Sequence, residues 1–328
     1  MQFGRQRELV LDICGVALIL LFAAIPFVTG SPLLYSWTNQ TVIGLTAALG
    51  VYIMLRLGLL SFTVPAFMAI GGYAAAILAV SGTTNLILLM SVACLTPAIF
   101  AIPLGMLVLR LKGIYFVFIT YILNEILQLV LFETPGLTGG SDGISGVPPA
   151  SLFGMALWSP RHLVLVTVGI GMAAAVITLA VTHRFRAEFS SIEDNETLAQ
   201  SLGVAVWKYR TLGLVASAGV SGLAGFALVN QLSTANPSSF SSFSAINYIA
   251  YAFIGGRRSL MGAVIGTIFV VVMSNLFSAQ GQYAGGLFGL LLIGVVMIAP
   301  AGLIGLAQQV LPSRRSIQSK APTEANTI

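Results

Sequence analysis

The sequence predicts an all-α polytopic membrane protein with about ten transmembrane helices and both termini in the cytoplasm. Three observations predict it. Of 328 residues, 57% are hydrophobic and only 8% charged, where a soluble domain carries roughly a quarter, and mean hydropathy is +0.96. The apolar residues come in continuous runs of about 18 to 25, long enough to cross the ~30 Å hydrocarbon core as helices. The basic residues stand in ones and twos between those runs. A transmembrane β-barrel is excluded, because its strands alternate apolar and polar over about ten residues.

Taken in order, the runs place crossings near 9–29, 38–55, 60–80, 86–109, 114–132, 162–182, 210–231, 241–256, 260–278 and 286–306. The first follows Arg5 and Arg7 as a signal peptide would, but its length, Asp12 at its start and the lack of a small-residue cleavage site favour a retained helix. The pair at 241–278 is the least regular, since its first member is short and Gly255, Gly256, Arg257 and Arg258 interrupt it.

The charges test this count. With the N-terminus inside, alternation puts Arg5, Arg7, Arg56, Arg110, Lys112, Arg184 and Arg186 on the cytoplasmic face. Lys208, Arg210, Arg257, Arg258, Arg314, Arg315 and Lys320 join them, and only Arg161 falls outside. That asymmetry is the positive-inside pattern, so the net charge of +5 reflects topology and not nucleic-acid binding. Residues 1–312 are expected to form one transmembrane domain, with an external loop at 133–160, a cytoplasmic loop at 183–207 and a disordered tail at 313–328. Cys14 and Cys94 lie in apolar runs and read as small packing residues. Gly262 and Gly266, Gly285 and Gly289, and the set Gly219, Gly222 and Gly225 have the spacing of close helix contacts in lipid.

Enzyme chemistry has little to stand on. His162 and His183 are the only histidines, each at a predicted helix end without Cys or carboxylates at metal-ligand spacing. No Gly-Lys dipeptide occurs, so a nucleotide-binding Walker A loop is absent. The external run T-G-G-S-D-G-I-S-G follows no strand and lacks a lysine, so it reads as an irregular loop and not a phosphate cradle. No metal site and no cofactor are expected on this chain.

The stretch Ser191–Gly203, S-I-E-D-N-E-T-L-A-Q-S-L-G, gathers Glu193, Asp194 and Glu196 beside Asn195 in a chain otherwise poor in charge. Ser190 with Glu193 matches a capping box, with Ser191 as the alternative cap, and acidic residues in a first turn favour the positive end of the helix dipole. Leu198 and Leu202 are i, i+4 neighbours with Ala199 and Ile192 near the same side, and Gly203 suits the C′ position. The expectation is one cytoplasmic helix of about three turns with a small apolar face. It could merely link two spans; its caps and two faces suit a helix that docks.

Polar residues inside the spans are candidates for a solute path. Asn124, Glu125 and Gln128 lie on the fifth crossing, about 20 Å along the helix from Lys112. An intramembrane carboxylate costs about 2.5–3.5 kcal/mol, so Glu125 should face protein or water. These residues could touch a solute or form a gate, or they could simply join helices by hydrogen bonds. Ser61, Pro65 and Asn247 are further candidates of the same kind.

The run E-D-N-E-T-L-A-Q-S-L-G-V from Glu193 resembles the cytoplasmic loop of permease subunits of bacterial branched-chain amino acid ABC importers. That loop carries an R-E-N-E-x-A-A-x-A-L-G-like string, the coupling helix that seats in the ATPase subunit. Other segments resemble the same family in the same order: G-L-L-S-F-T-V-P-A-F-M-A-I-G-G-Y-A-A from Gly58, R-L-K-G-I-Y-F-V-F-I-T from Arg110, T-G-G-S-D-G-I from Thr138, and G-G-R-R-S-L-M-G-A-V-I-G from Gly255. The resemblance spans roughly residues 40 to 305. It departs at Glu188, at Thr63-Val64-Pro65 where the family has Gly-His-Ala, and at Arg257-Arg258 in place of a glycine-containing turn.

The resemblance implies a multi-pass subunit of the bacterial inner membrane that imports branched-chain or related neutral amino acids by alternating access. Implied partners are a homologous permease subunit, two ATPase subunits that use ATP and Mg, and a periplasmic binding protein that lands on the 133–160 loop. The coupling helix would comprise Ser191, Glu193, Asp194, Asn195, Glu196, Leu198, Ala199, Leu202 and Gly203. Alternatives are the same type of permease for urea, short amides or a sugar, and an ATP-independent secondary transporter or channel. The latter should carry more intramembrane ionisable groups than Asp12 and Glu125.

Overall fold

The computed structural model describes residues 2–152, 155–256, 259–278, 283–298 and 302–305. Ten apolar helices occupy the ten expected segments among these residues. They are α1 (Gln2–Thr29), α2 (Pro32–Leu55), α3 (Val64–Val80), α4 (Leu86–Val108), α5 (Gly113–Glu133), α7 (Pro160–Arg184), α10 (Val206–Leu232), α11 (Ser242–Gly255), α12 (Leu260–Ser278) and α13 (Ala284–Ile298). Between them lie a short turn of helix, α6 (Pro135–Thr138), and the pair α8 (Arg186–Asp194) and α9 (Glu196–Ser201). Seven of the ten are long and apolar enough to cross a membrane; α3, α11 and α13 are shorter, at 17, 14 and 15 residues. The expected tail at 313–328 and the charges Arg257, Arg258, Arg314, Arg315 and Lys320 lie outside the described residues.

The helix ends follow local chemistry. Proline in the first turn starts α2, α3 and α7, where its missing N–H costs nothing. Asn85 caps α4, its side-chain oxygen accepting from Ile87 N and Leu88 N. The third expected crossing begins later than its apolar run, because residues 59–63 form no regular element and the helix opens only at Val64.

The core is built from α2 and α10. Nearly every residue of α2 is buried, and α10 packs on α2, α3, α4 and α7. No hydrophobic force draws helices together in lipid, so close backbone approach through small residues must do it. Gly222 and Gly225 meet that need: a Cβ on Gly222 would overlap Ala93 O of α4, and one on Gly225 would overlap Met68 O of α3. Gly262 and Gly266 likewise touch the backbone of Gly255 and Tyr251 where α12 crosses α11. Gly285 and Gly289 have no heavy atom within 4 Å of a Cβ position, so their motif packs nothing among the described residues. By contrast α4 and α5 keep most of their surface exposed.

The connections segregate to two ends. At one, the 134–159 segment is folded onto its neighbours: Ile144–Ser145 pairs antiparallel with Thr234–Ala235, and Ala150 N donates to Asn230 Oδ1 at 3.1 Å. A second two-residue pair, Ser151–Leu152 with Met155–Ala156, continues this end. At the other end lie the 56–63 segment, Lys112 before α5, and α8 with α9.

Asp12 is buried on α1. Its Oδ1 accepts from Leu260 N at 3.1 Å and its Oδ2 contacts His183 Nε2 at 2.9 Å. One carboxylate thus ties α1 to the end of α7 and to the start of α12, where helix dipoles favour negative charge. Nothing local in the sequence links Asp12 with His183, which lie 171 residues apart.

Candidate functional site

The loop between α7 and α10 folds as two helices and not as one. Asn195 breaks them: its backbone is extended (φ −159°, ψ 105°) and its Oδ1 accepts from Leu198 N at 3.0 Å, capping α9. The expected capping box is therefore displaced. Ser190 and Ser191 lie inside α8, and Ser191 Oγ donates back to Glu188 O at 2.9 Å. Asn195 serves because its extended backbone sets a side-chain acceptor three residues before the orphan Leu198 amide. The C-terminal expectation holds: Gly203 is left-handed (φ +87°), its N–H reaching Gln200 O while Val204 N reaches Ala199 O.

The break also divides the apolar face. Phe189 and Ile192 of α8 are buried, Phe189 stacking near Phe185 and packing with Leu57 on the bare backbone of Gly213. Ala199 of α9 is buried as well. Leu198 and Leu202 instead point outward, 57% and 75% exposed, and Trp207 nearby in sequence is 70% exposed. Helical spacing does not carry across an extended residue, so Ile192 and Ala199 face inward while the two leucines form a separate outer pair. Asp194 is exposed and Glu193 half-buried beside Gly58.

Glu196 does not belong to the outer surface. Its carboxylate forms a two-pronged pair with Arg210 of α10 (Nη1–Oε1 3.1 Å, Nη2–Oε2 2.9 Å) and receives Lys112 Nζ at 3.0 Å. Gln200 Nε2 adds a bond at 3.3 Å. Partial burial, the largest single influence, would raise the Glu196 pKa. The Lys112 hydrogen bond and the charge and hydrogen bonds of Arg210 outweigh it and hold the carboxyl below its ordinary value. Lys112 and Arg210 read in the sequence only as topology signals. Their shared role shows only in three dimensions, since the sequence offers Glu193, Asp194 and Glu196 alike as partners for basic helix ends.

The candidate path residues do not converge on one point. Asn124 is buried and its Nδ2 donates to Ser242 Oγ on α11; Gln128 Nε2 lies 3.5 Å from Pro237 O in the adjoining 3₁₀ turn. Ser61 is buried in a hydroxyl cluster, 2.8 Å from Thr63 Oγ1, while Phe62 N donates to Thr120 Oγ1 of α5 at 3.3 Å. Thr120 lies one helical turn, about 6 Å, before Asn124, so this cluster and the Asn124 contact follow one stripe of α5. Pro65 is buried in the first turn of α3, and Asn247 is half-buried on α11. Glu125 stands apart on the exposed side of α5, with Tyr121, Ile122 and Leu129 about 40–60% exposed around it.

A family model described as the permease component of a branched-chain amino acid transport system matches residues 33–300. The chain belongs to that family. The high-affinity branched-chain amino acid transport system permease protein LivM of Escherichia coli (strain K12) is 26% identical over 322 residues, covering 90% of this chain and 75% of the relative. LivM of Salmonella typhimurium (strain LT2) is 25% identical over the same extent. No solved structure matches the chain. The matched region runs from α2 through α13 and takes in both the Glu196 anchor and the polar stripe of α5. This family member is a multi-pass protein of the cell inner membrane, in keeping with its seven long apolar helices.

Proposed function

We propose that this permease-family chain is the transmembrane subunit of an ATP-driven importer for branched-chain or related neutral amino acids. The observation that carries the reading is the α9 anchor: Leu198 and Leu202 are presented outward while Glu196 is clamped from behind by Arg210 and Lys112. A helix with an exposed apolar pair on one side and rigid ion pairs to two membrane helices on the other suits the transmission of motion. An ATPase subunit seated on Leu198 and Leu202 would push on α10 and α5 together. Shifting a bundle between states needs differential contacts worth a few kcal/mol, and such an anchor can deliver them without melting.

In this reading all ten apolar helices cross the membrane, both termini and α8–α9 are cytoplasmic, and the folded 133–160 segment receives a periplasmic binding protein. ATP and Mg are used by two separate ATPase subunits; this chain hydrolyses nothing. The exposed side of α5 faces a homologous permease subunit and the path between the two, because a carboxylate such as Glu125 is too costly to leave against lipid. Asn124, Gln128, Ser61, Pro65 and Asn247 line or brace that path from within this chain.

ATP-dependent uptake of radiolabelled leucine into proteoliposomes containing the full complex tests the proposal, with Glu196→Lys compared against the intact chain. Uptake that requires ATP and is lost in the assembled variant is the expected result. Uptake without ATP or an ATPase partner would overturn it. Continued ATP hydrolysis without leucine movement in the intact complex would overturn the substrate and leave the coupling.

A further inference from the structure

At the end of the bundle opposite α8 and α9, a cavity of about 340 Å³ opens between α2, α10, α11 and α12. Gln40 on its wall lies 15 residues before Leu55, about 22 Å up α2. Its polar lining includes the amides of Gln40, Gln231 and Asn275, the hydroxyls of Ser274 and Ser278, and Tyr248 with Tyr251. Ile43, Leu228 and Val271 supply aliphatic wall. None of its lining residues is ionisable as an acid or base of ordinary pH.

The carboxamides are only partly used. Asn275 Nδ2 donates to Gln40 Oε1 at 3.1 Å and to Val271 O at 2.9 Å. That leaves Gln40 Nε2 as donor and Asn275 Oδ1 as acceptor with no partner among the described residues. Gln40 is exposed and Asn275 half-buried, whereas Gln231 Oε1 is buried with no hydrogen bond among the described residues. A buried unpaired amide oxygen costs about 1–3 kcal/mol, so Gln231 calls for a polar partner inside the cavity, beside the solvent-facing amides of Gln40 and Asn275. Tyr248 and Tyr251 meet edge to face at 6.0 Å, and the Tyr251 ring rests over Gly44, which keeps the space open.

From this lining we infer that the cavity is a solute-binding site for a small molecule without net charge that carries both donors and acceptors, either a zwitterionic α-amino acid or a primary amide. Its volume sits at the small end of ligand pockets. Unpaired amide donors and acceptors match a carboxylate with an ammonium, or a carboxamide; the aliphatic wall accepts a short hydrocarbon chain. A lysine- or glutamate-like solute would leave a full charge without a counter-charge in the cavity, which is strongly unfavourable. The site lies within one chain and apart from the exposed Glu125 side of α5, so it would hold solute before entry to the inter-subunit path. The assignment rests on the permease reading above.

The test uses Ser274→Cys, an exposed wall position, in a chain with Cys14→Ala and Cys94→Ala, assembled as the full complex in proteoliposomes without ATP. A membrane-impermeant maleimide labels the thiol in the presence of L-leucine, acetamide, L-lysine or L-glutamate. Leucine or acetamide should slow labelling about tenfold at ten times its Kd, since roughly one site in eleven is then empty; which of the two protects decides between amino acid and amide. Gln231→Leu and Asn275→Leu should each abolish protection. Unreactive thiol, no protection by either neutral solute, protection by the charged ones, or protection surviving both leucine substitutions would each overturn the inference. Labelling needs no ATP, so the two readings fail separately. Coupled leucine uptake without protection removes only the cavity site; protection with ATP-independent uptake removes only the importer.

Discussion

Replacing Glu196 by glutamine asks whether charge or packing holds α9 to the membrane helices. The substitution keeps the volume and removes the charge. Arg210 is 8% exposed at its side chain and Glu196 18%, whereas Lys112 is 61% exposed. The Arg210 Nε already lacks a hydrogen bond among the described residues, so the carboxylate supplies its principal partner. Charge-assisted bonds to a mostly buried arginine contribute about 1.5–3 kcal/mol, while the exposed Lys112 contact adds at most about 1 kcal/mol. Glu196→Gln should therefore release α9 by about 2–3 kcal/mol, and Lys112→Ala by under about 1 kcal/mol.

Amide hydrogen exchange of residues 196–202 in the assembled complex reads this directly. At 1.4 kcal/mol per tenfold, exchange should rise roughly 30- to 150-fold in Glu196→Gln and no more than about fivefold in Lys112→Ala. Equal acceleration in the two variants, or none in either, would refute the reasoning. The pH dependence gives the sign. Because the folded-state pKa of Glu196 is lowered, its contribution is complete above its ordinary value of 4.5 and is lost as pH falls through the depressed value. After correction for intrinsic rates, exchange of α9 should stay flat above pH 4.5 and rise only below it; Glu196→Gln should show no such rise.

Three further outcomes follow from the geometry. Asn195→Ala removes the cap that separates α8 from α9 and should cost about 1 kcal/mol, seen as about fivefold faster exchange at Leu198 with little change in α8. Gly225→Ala forces a methyl into Met68 O and should lower thermal stability by about 1–3 kcal/mol in detergent, while Gly285→Ala, with open space around it, should be close to neutral. Asp12→Asn and His183→Gln should each destabilise, and their double variant should cost less than the sum of the singles, because both remove one shared contact. Additive costs in that cycle would show that Asp12 acts through Leu260 N and not through His183.

The sequence was most informative where one residue's chemistry suffices. Ten apolar runs became ten helices because a backbone among apolar side chains must satisfy its own hydrogen bonds. Gly203 ended α9 where a left-handed residue was expected, and Gly222 and Gly225 brought α10 against its neighbours at the predicted spacing. The errors are of another kind. Ser190–Glu193 satisfied a capping pattern, yet Asn195 took the cap, since two candidate caps five residues apart compete and only the packing of Phe189 and Ile192 settles which turn is helical. The four apolar residues of the stretch looked like one face until the extended Asn195 split them.

Composition and spacing alone thus determined a multi-pass helical protein, its loop positions and the stretch that carries its charge. Tertiary structure decided what that charge does. Glu196 finds Lys112 and Arg210 at 84 and 14 residues' distance, Asp12 finds His183 across 171, and Gln40 finds Asn275 across 235. Helix formation depends on neighbours within four residues and is written locally. The partner of a polar side chain depends on which helices are brought side by side, and small residues distributed along the whole chain set that arrangement.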